Sequence, residues 1–178
     1  MCDDIFLLSK SKQILLEIYR DLENTDKFSV GYIIDYNDNE VLLALIDPTG
    51  NYDGYCVYRS EDIFKVSKDT KYINMFNIID GRIDKSNIKI LNNNLIYTLL
   101  QYAKRNKYIV SIEIENSGYM DTIGYVTNVD NNISQIQNIN EYGEPDGIDF
   151  ISISSISCIN CDSIGNQFRD KLYKYHKL

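Results

Sequence analysis

Two kinds of hydrophobic spacing succeed each other along the chain. Between residues 94 and 106 the apolar positions recur with the period of an α-helix, so this segment is predicted to be helical. Short runs rich in β-branched residues follow, separated by Asn, Gly and Pro positions that favour turns. They predict strands in the second half of the chain at residues 107–115, 120–129, 134–140, 147–153 and 156–161.

The first half shows the same succession, but its beginning admits two interpretations. Taken alone, residues 14–22 could be part of a helix that continues from Phe6-Leu7-Leu8. If Leu16-Glu17-Ile18 instead matches Ile112-Glu113-Ile114, the helix covers only residues 2–11 and residues 13–20 form the first strand. We adopt this second interpretation. The remaining strands of this half are predicted at residues 27–36, 41–46, 55–59 and 63–67.

The match between the halves extends over a long, gap-free stretch. Residues 30–75 align with residues 123–168 at a constant offset of 93. Similarity at a fixed period indicates internal repetition, so we interpret the chain as a tandem duplication. The identical pairs are Gly31/Gly124, Tyr32/Tyr125, Asn39/Asn132, Ile46/Ile139, Gly50/Gly143, Asp53/Asp146, Gly54/Gly147, Ile63/Ile156 and Asp69/Asp162.

The repeat predicts the domain organisation. The first unit covers residues 1–77, a linker covers residues 78–93, and the second unit covers residues 94–178. Phe168, Leu172 and Tyr175 recur at helical spacing, which predicts an amphipathic helix at the end of the second unit. Residues 41–46 are apolar on both faces, which suits a strand that is covered on its outside as well as its inside.

The composition is that of an acidic globular chain with a net charge of −8 and 44% hydrophobic residues. No stretch approaches the roughly 18 apolar residues of a membrane span. The start Met1-Cys2-Asp3-Asp4 lacks the positive region of a secretory signal, so a cytoplasmic location is expected. The cysteines form no symmetric framework in the two halves, which favours free thiols; they are Cys2, Cys56, Cys158 and Cys161.

Residues suited to catalysis are scarce. The single histidine, His176, lies close to the C-terminus, where a nucleophile–histidine pair would depend on a chain end. Asp53 and Asp146 each precede a glycine, and a turn explains that spacing without paired-acid chemistry. Cys158 and Cys161 have redox or zinc spacing, but strand residues three apart point to opposite faces and zinc needs further ligands. The sequence therefore predicts a protein that is not an enzyme and that has no metal and no cofactor.

A helix followed by five short, bent strands, with a glycine in the second strand, resembles the Sm/LSm fold. Gly31-Tyr32-Ile33 matches the strand glycine of that family, although Asn37 and Val41 stand at the positions of its RNA-contacting Asp and Asn. The stretch 59–63 resembles the family's Arg-Gly turn with its glycine replaced, and residues 152–156 lack the arginine. The resemblance implies a mainly β fold of two tandem Sm-like five-stranded antiparallel barrels, each preceded by an N-terminal helix.

Residues 31–63 are also similar to uncharacterised proteins of low-GC bacteria that carry the pattern Gly-Tyr-Ile, Leu-Leu, Ile-Asp-Pro, Gly-x-Tyr-Asp-Gly-Tyr and Asp-Ile. No activity is implied by that similarity.

Tyrosine is the most unusual feature of the composition, with 15 tyrosines and no tryptophan. Its ring is apolar and its hydroxyl polar, which suits protein interfaces and base stacking as well as half-buried strands. If one surface is functional, the sequence places it in the first unit at Tyr52, Asp53, Tyr55 and Arg59.

Three hypotheses about function remain. A protein-interaction module that associates with another protein or with itself through open strand edges fits the acidic, tyrosine-rich chain best, and an immunity-type protein that binds a basic toxin would be one instance. An Sm-like RNA-binding protein is the second hypothesis, which the net charge of −8 disfavours. An enzyme is the third.

Overall fold

The structure, a computed structural model, describes residues 3–76 and 88–177. Its helices are α1 (Asp3–Lys12), α2 (Lys71–Phe76), α3 (Leu95–Asn106) and α4 (Ile164–Tyr175). The strands are β1 (Leu16–Tyr19), β2 (Ser29–Tyr36), β3 (Glu40–Ile46), β4 (Tyr52–Arg59), β5 (Lys65–Ser67), β6 (Ile109–Ile114), β7 (Thr122–Val129), β8 (Ile133–Ile139), β9 (Pro145–Ser152) and β10 (Ile156–Cys161). Residues 78–87 of the predicted linker lie outside the described residues, as does Cys2 of the first predicted helix.

The ten strands form one antiparallel sheet in the order β5-β1-β2-β3-β4-β10-β6-β7-β8-β9. The predicted mainly β fold with flanking helices is therefore confirmed. The sheet is open, with β5 and β9 at its two edges, and two closed barrels are not shown in the described residues. The halves share the sheet because β4 pairs along its outer edge with β10, with Tyr55 opposite Cys161 and Tyr58 opposite Cys158.

Residues 16–19 form a strand, as the comparison of the halves predicted. The predicted match to Ile112-Glu113-Ile114 is wrong by two residues, because Leu16 pairs with Gly31 whereas Val110 pairs with Gly124. Side chains alternate along a strand with a period of two, so a slip of two positions leaves each side chain on the same face. The strand was therefore predicted correctly although its register was not.

The Asp-Gly pairs lie inside strands rather than in the turns that were predicted. Ala44 of β3 pairs with Tyr55 of β4, and Ile46 pairs with Tyr52. Over this stretch β4 therefore has one residue more than β3. Gly54 has a φ of +83°, a conformation that glycine adopts without a steric penalty. The Asp-Gly pair thus forms a β-bulge, which bends the strand while the pairing continues on either side. For this reason β4 begins at Tyr52 and not at Tyr55.

Each long helix leads directly into or out of a strand of the sheet. Asn94 caps α3 by accepting the backbone N–H of Tyr97 at 2.7 Å, and Lys107 ends it in the left-handed conformation. Ser163 caps α4 in the same manner. The predicted C-terminal helix is therefore present, but Phe168 and Tyr175 on it are 62% and 73% exposed. The short helix α2 was not predicted.

The main hydrophobic core joins the two halves. Helix α3 covers the outer face of β3 and β4, where Leu42 and Val57 are fully buried against it. The opposite face of the same strands packs on α1 and β1 in a second cluster that contains Val41, Leu43 and Phe6. Both faces of β3 are thus covered, which explains why residues 41–46 carry apolar side chains without alternation.

Candidate functional site

The four residues predicted as a binding surface all lie on β4, the strand that joins the halves. Tyr55 is buried, with 6% of its surface exposed, and Tyr52, Asp53 and Arg59 are partly buried. The structure therefore brings the four residues together, but at an internal interface between the two halves. The contacts of these four residues show how the two halves of the chain bind each other.

Arg59 connects the end of β4 to the second half of the chain through hydrogen bonds. Its Nε donates to the carbonyl oxygen of Ile156 and one Nη to that of Ile153, each at 2.9 Å. The other Nη donates to Glu40 at 3.0 Å. A guanidinium group presents its donors in a rigid fork, so these three contacts orient it and leave it little capacity for an external ligand.

Glu40 extends this network to α3. Its other carboxylate oxygen accepts the backbone N–H groups of Leu95 and Ile96, at the beginning of the helix, where a negative charge is favourable. The side chain is only 3% exposed, and this burial raises the pKa of Glu40 above its usual value. The N–H donors and Arg59 oppose that shift by stabilising the carboxylate.

Two tyrosines of β4, Tyr52 and Tyr55, pack on the α3 side of the sheet, whereas Tyr58 lies in the cluster on the opposite face. The ring of Tyr55 lies between the rings of Tyr52 and Tyr102, with centroid distances of 5.3 and 5.6 Å and an edge-to-face arrangement in both pairs. Burial raises the pKa of Tyr52 and of Tyr102 above the usual phenol value, because it disfavours the charged phenolate. Edge-to-face pairs of this kind contribute about 0.5–1.5 kcal/mol beyond their buried area.

The bulge at Asp53 and Gly54 fits closely around the end of β10. The carboxylate of Asp53 accepts the backbone N–H of Ile164 at 2.7 Å. A Cβ atom at Gly54 would lie 2.6 Å from the backbone nitrogen of Ser163. Glycine is therefore required at this position for contact as well as for its positive φ.

The two sheet edges differ from this closed junction because, among the residues that the structure describes, their strands pair on one side only. On β9, Ile148 is 49% exposed and Phe150 is 70% exposed, and Ile133 on the neighbouring strand β8 is 47% exposed. Exposed apolar side chains on an edge strand are a feature that proteins generally avoid unless the edge binds something. This surface was not predicted from the sequence, although the spacing of Ile148 and Phe150 on one face of a strand could have indicated it.

A polar cleft of about 430 Å³ lies between turns of the two halves. Asn37 accepts the backbone N–H groups of Asn39 and Glu40 in the first turn, and Asp130 accepts those of Asn132 and Ile133 in the second. The turns thus repeat one geometry. The lining includes Asp38, Asn39, Arg59, Asn94, Asn131 and Asn132.

The cysteines of the described residues are buried and free. The Sγ of Cys56 lies 3.7 Å from that of Cys158, across the pairing of β4 with β10. Burial raises the pKa of Cys56 and of Cys161, which disfavours the reactive thiolate. Cys158 and Cys161 belong to different hydrophobic clusters, in agreement with the prediction that they point to opposite faces.

Within residues 3–76 and 88–177, no group of three or more His, Cys, Asp and Glu side chains is placed to hold a metal ion. In the same part of the chain, no helix has the length and apolar character needed to cross a membrane. Comparisons of the chain with models of protein families, with curated proteins and with solved structures find no match.

Proposed function

We propose that the protein is a non-enzymatic protein-interaction module of the bacterial cytoplasm, built from two Sm-like five-stranded units by internal duplication. The observation that carries this proposal is the open edge β9, with Ile148 and Phe150 exposed beside it. A strand edge offers a row of backbone donors and acceptors, and apolar side chains beside that row supply affinity for an added strand.

The junction of β4 with β10 supports strand addition as the mode of binding. There, one half of the chain extends the sheet of the other, and a helix covers the apolar side chains next to the pairing. Tyr52, Asp53, Tyr55 and Arg59 are the residues through which β4 makes this contact. They show how one strand edge is recognised within the chain, and β9 is an edge of the same sheet that carries exposed apolar side chains.

Crosslinking in living cells tests the proposal. A photoreactive phenylalanine analogue is placed at position 150 or, as a control, at Tyr119, which is 77% exposed and lies on no strand. We expect a defined covalent adduct from position 150 and none from position 119. Ile148→Glu should reduce the adduct by about ten-fold or more, which corresponds to about 1.4 kcal/mol, because it places a charge at an apolar contact. Equal labelling from both positions contradicts the proposal.

The charge of the edge indicates what kind of foreign protein would fit it. Glu144, Asp146 and Asp149 lie along residues 144–150, which contain no cationic side chain. A basic partner would complement this edge and would associate faster at low ionic strength. An immunity-type protein that neutralises a basic toxin is one form of the proposed function, and its adduct would contain a basic protein.

RNA binding is a second candidate, favoured by one observation, the cleft between the two equivalent turns, which is lined by four asparagines but also by Asp38 and Glu61. Against it, the net charge is −8 and the three donor nitrogens of Arg59 are engaged within the protein. Each phosphate that a protein neutralises on a single strand contributes about 0.7 to the salt slope.

We therefore expect no salt-dependent binding of oligo-U or oligo-A to the purified protein in fluorescence anisotropy. Asn132→Ala serves as the probe of the cleft, because its side chain lines that cleft. Submicromolar binding at moderate salt that this variant abolishes would favour the RNA-binding candidate over the proposed one.

A further inference from the structure

Strand β9 has the same backbone features as β4, at the offset of 93 residues that relates the halves. Gly54 and Gly147 lie in equivalent bulges, with φ angles of +83° and +80°. Backbone atoms of residues 161–163 crowd the space beside Gly54, whereas a Cβ atom at Gly147 would meet no atom of the described residues within 4 Å. β9 is therefore shaped like the strand of the internal junction, with its contact side open to solvent.

The side chains beside the bulge repeat this relationship. Ile148 and Phe150 stand at the positions of Tyr55 and Val57, which are 6% and 0% exposed beneath α3. Asp146 stands at the position of Asp53, whose carboxylate accepts the backbone N–H of Ile164. The residues that are buried at one junction thus have exposed counterparts of similar character at the edge.

The other edge of the sheet has the features of β10, which is the partner of β4. Asp69 and Asp162 follow β5 and β10 with φ angles of +55° and +60°. The next residues, Thr70 and Ser163, each accept a backbone N–H three positions further on, at 3.1 and 3.2 Å. The backbone that fits around Gly54 is therefore reproduced at residues 68–70, beside the exposed edge.

Helix α1 precedes β1 as α3 precedes β6, so α1 is the equivalent of α3 in the first half. Both helices end at a left-handed residue, Gln13 in α1 and Lys107 in α3, so the helices correspond at an offset of 94. This offset places Leu8 at the position of Tyr102, whose ring packs on Tyr55. Leu8 is half-buried, and its neighbour Leu7 is 55% exposed, so α1 offers apolar surface on its solvent side.

We infer that the occupant of β9 is a second copy of this chain, which pairs its β5 with β9 and lays its α1 over Ile148 and Phe150. The inference rests on the proposed function, since it names the partner of the same edge. Charge supports it, because residues 144–150 carry three acidic groups and no cation, whereas residues 65–71 carry three lysines and one aspartate.

The contact is heterologous, because two different edges meet. Such a contact builds closed rings or open chains of copies, according to the rotation that relates one copy to the next. It is also weaker than the internal junction. Gln135 and Gln137 replace the buried Leu42 and Ala44. In addition, Ile133 and Ser152 replace the Glu40–Arg59 pair, so association between copies is reversible and depends on concentration.

Light scattering coupled to size exclusion tests this inference on the full chain, whose monomer mass is 20.7 kDa. We expect the mass of the wild-type protein to rise with concentration. Phe150→Glu on β9 and Leu8→Glu on α1 should each shift the protein to monomer, with a dissociation constant raised about ten-fold or more. Tyr119→Glu, which changes an exposed aromatic residue on neither edge, should associate like the wild type.

Mixing the two variants determines the direction of the contact. The Leu8→Glu chain retains an intact β9, and the Phe150→Glu chain retains an intact α1 and β5. An equimolar mixture should therefore form a dimer that cannot grow further. If Leu8→Glu alters the circular dichroism spectrum, the surface variant Lys65→Glu/Lys68→Glu takes its place, because both lysines are exposed.

Two results would overturn the inference. A Leu8→Glu chain that still dimerises would show that β9 pairs with β9 of the other copy. A wild-type chain that stays monomeric at all concentrations would show that the occupant is not a second copy. In the latter case, an adduct between position 150 and a different protein would still support the proposed function, whereas adducts of the chain with itself at multiples of 20.7 kDa agree with the inference.

Discussion

At the scale of single residues, Gly54 and Gly147 separate the effect of conformation from the effect of contact. Both have positive φ angles, which cost a residue with a Cβ about 1–2 kcal/mol, but only Gly54 is crowded by backbone atoms. Gly147→Ala should therefore lower the melting temperature by a few degrees, and Gly54→Ala by several times more. Thermal unfolding followed by circular dichroism measures both, and equal shifts would contradict the tight fit of β4 around β10.

Glu40 links stability to pH through its burial. Because its pKa is raised in the folded protein, Glu40 holds its proton to a higher pH there than in the unfolded chain. Its contribution to stability is thus present below the usual glutamate pKa and is lost as the pH rises through the raised value. We expect the stability of Glu40→Gln relative to wild type to increase as the pH rises above the usual glutamate pKa, as measured by urea unfolding at a series of pH values. A difference that is constant across these pH values would show that the N–H donors and Arg59 cancel the cost of burial.

At the scale of elements, the connection between α3 and β6 passes through a residue in the left-handed conformation. Lys107 has a φ of +57° at the end of α3, where glycine is the preferred residue. Lys107→Gly should therefore stabilise the protein by about 0.5–1 kcal/mol. Lys104→Gly is the matched control inside the helix and should destabilise by about 1 kcal/mol. Chemical denaturation measures both, and a loss of stability in both variants would contradict the assigned helix end.

The sequence predicted element types better than their ends. The first strand was identified because the second half contains the same pattern. However, a period of two cannot distinguish Val110 from Ile112 as the residue of the second half that is equivalent to Leu16. Asp53-Gly54 suggested a turn, since the same residues favour turns and bulges, and only the pairing of β3 with β4 distinguishes the two. The helix α2 offered too few residues for a helical period to be recognised.

At the scale of the whole molecule, the sequence predicted a binding surface but did not indicate that the second half of the same chain covers those residues. Tyr52, Asp53, Tyr55 and Arg59 have the character of a recognition surface, and in the structure they bind the second half of the same chain. Residue character does not distinguish contact within a chain from contact between chains, since both bury apolar and hydrogen-bonded groups. Which strand edge stays open follows only from the order of strands in the shared sheet.

The shared core predicts that the halves do not fold apart. Leu42, Tyr55 and Val57 of the first half are buried against α3 of the second. Burying one such side chain contributes about 1.5–3 kcal/mol, so the loss of this contact removes an amount comparable with the about 5–15 kcal/mol of a typical domain. A protease site inserted after residue 81 should give two fragments that co-elute after cleavage and unfold in one transition. Once separated in urea and returned to buffer alone, each should lack the native circular dichroism spectrum, and mixing them should restore it; a fragment that refolds alone would show that its half is an independent domain.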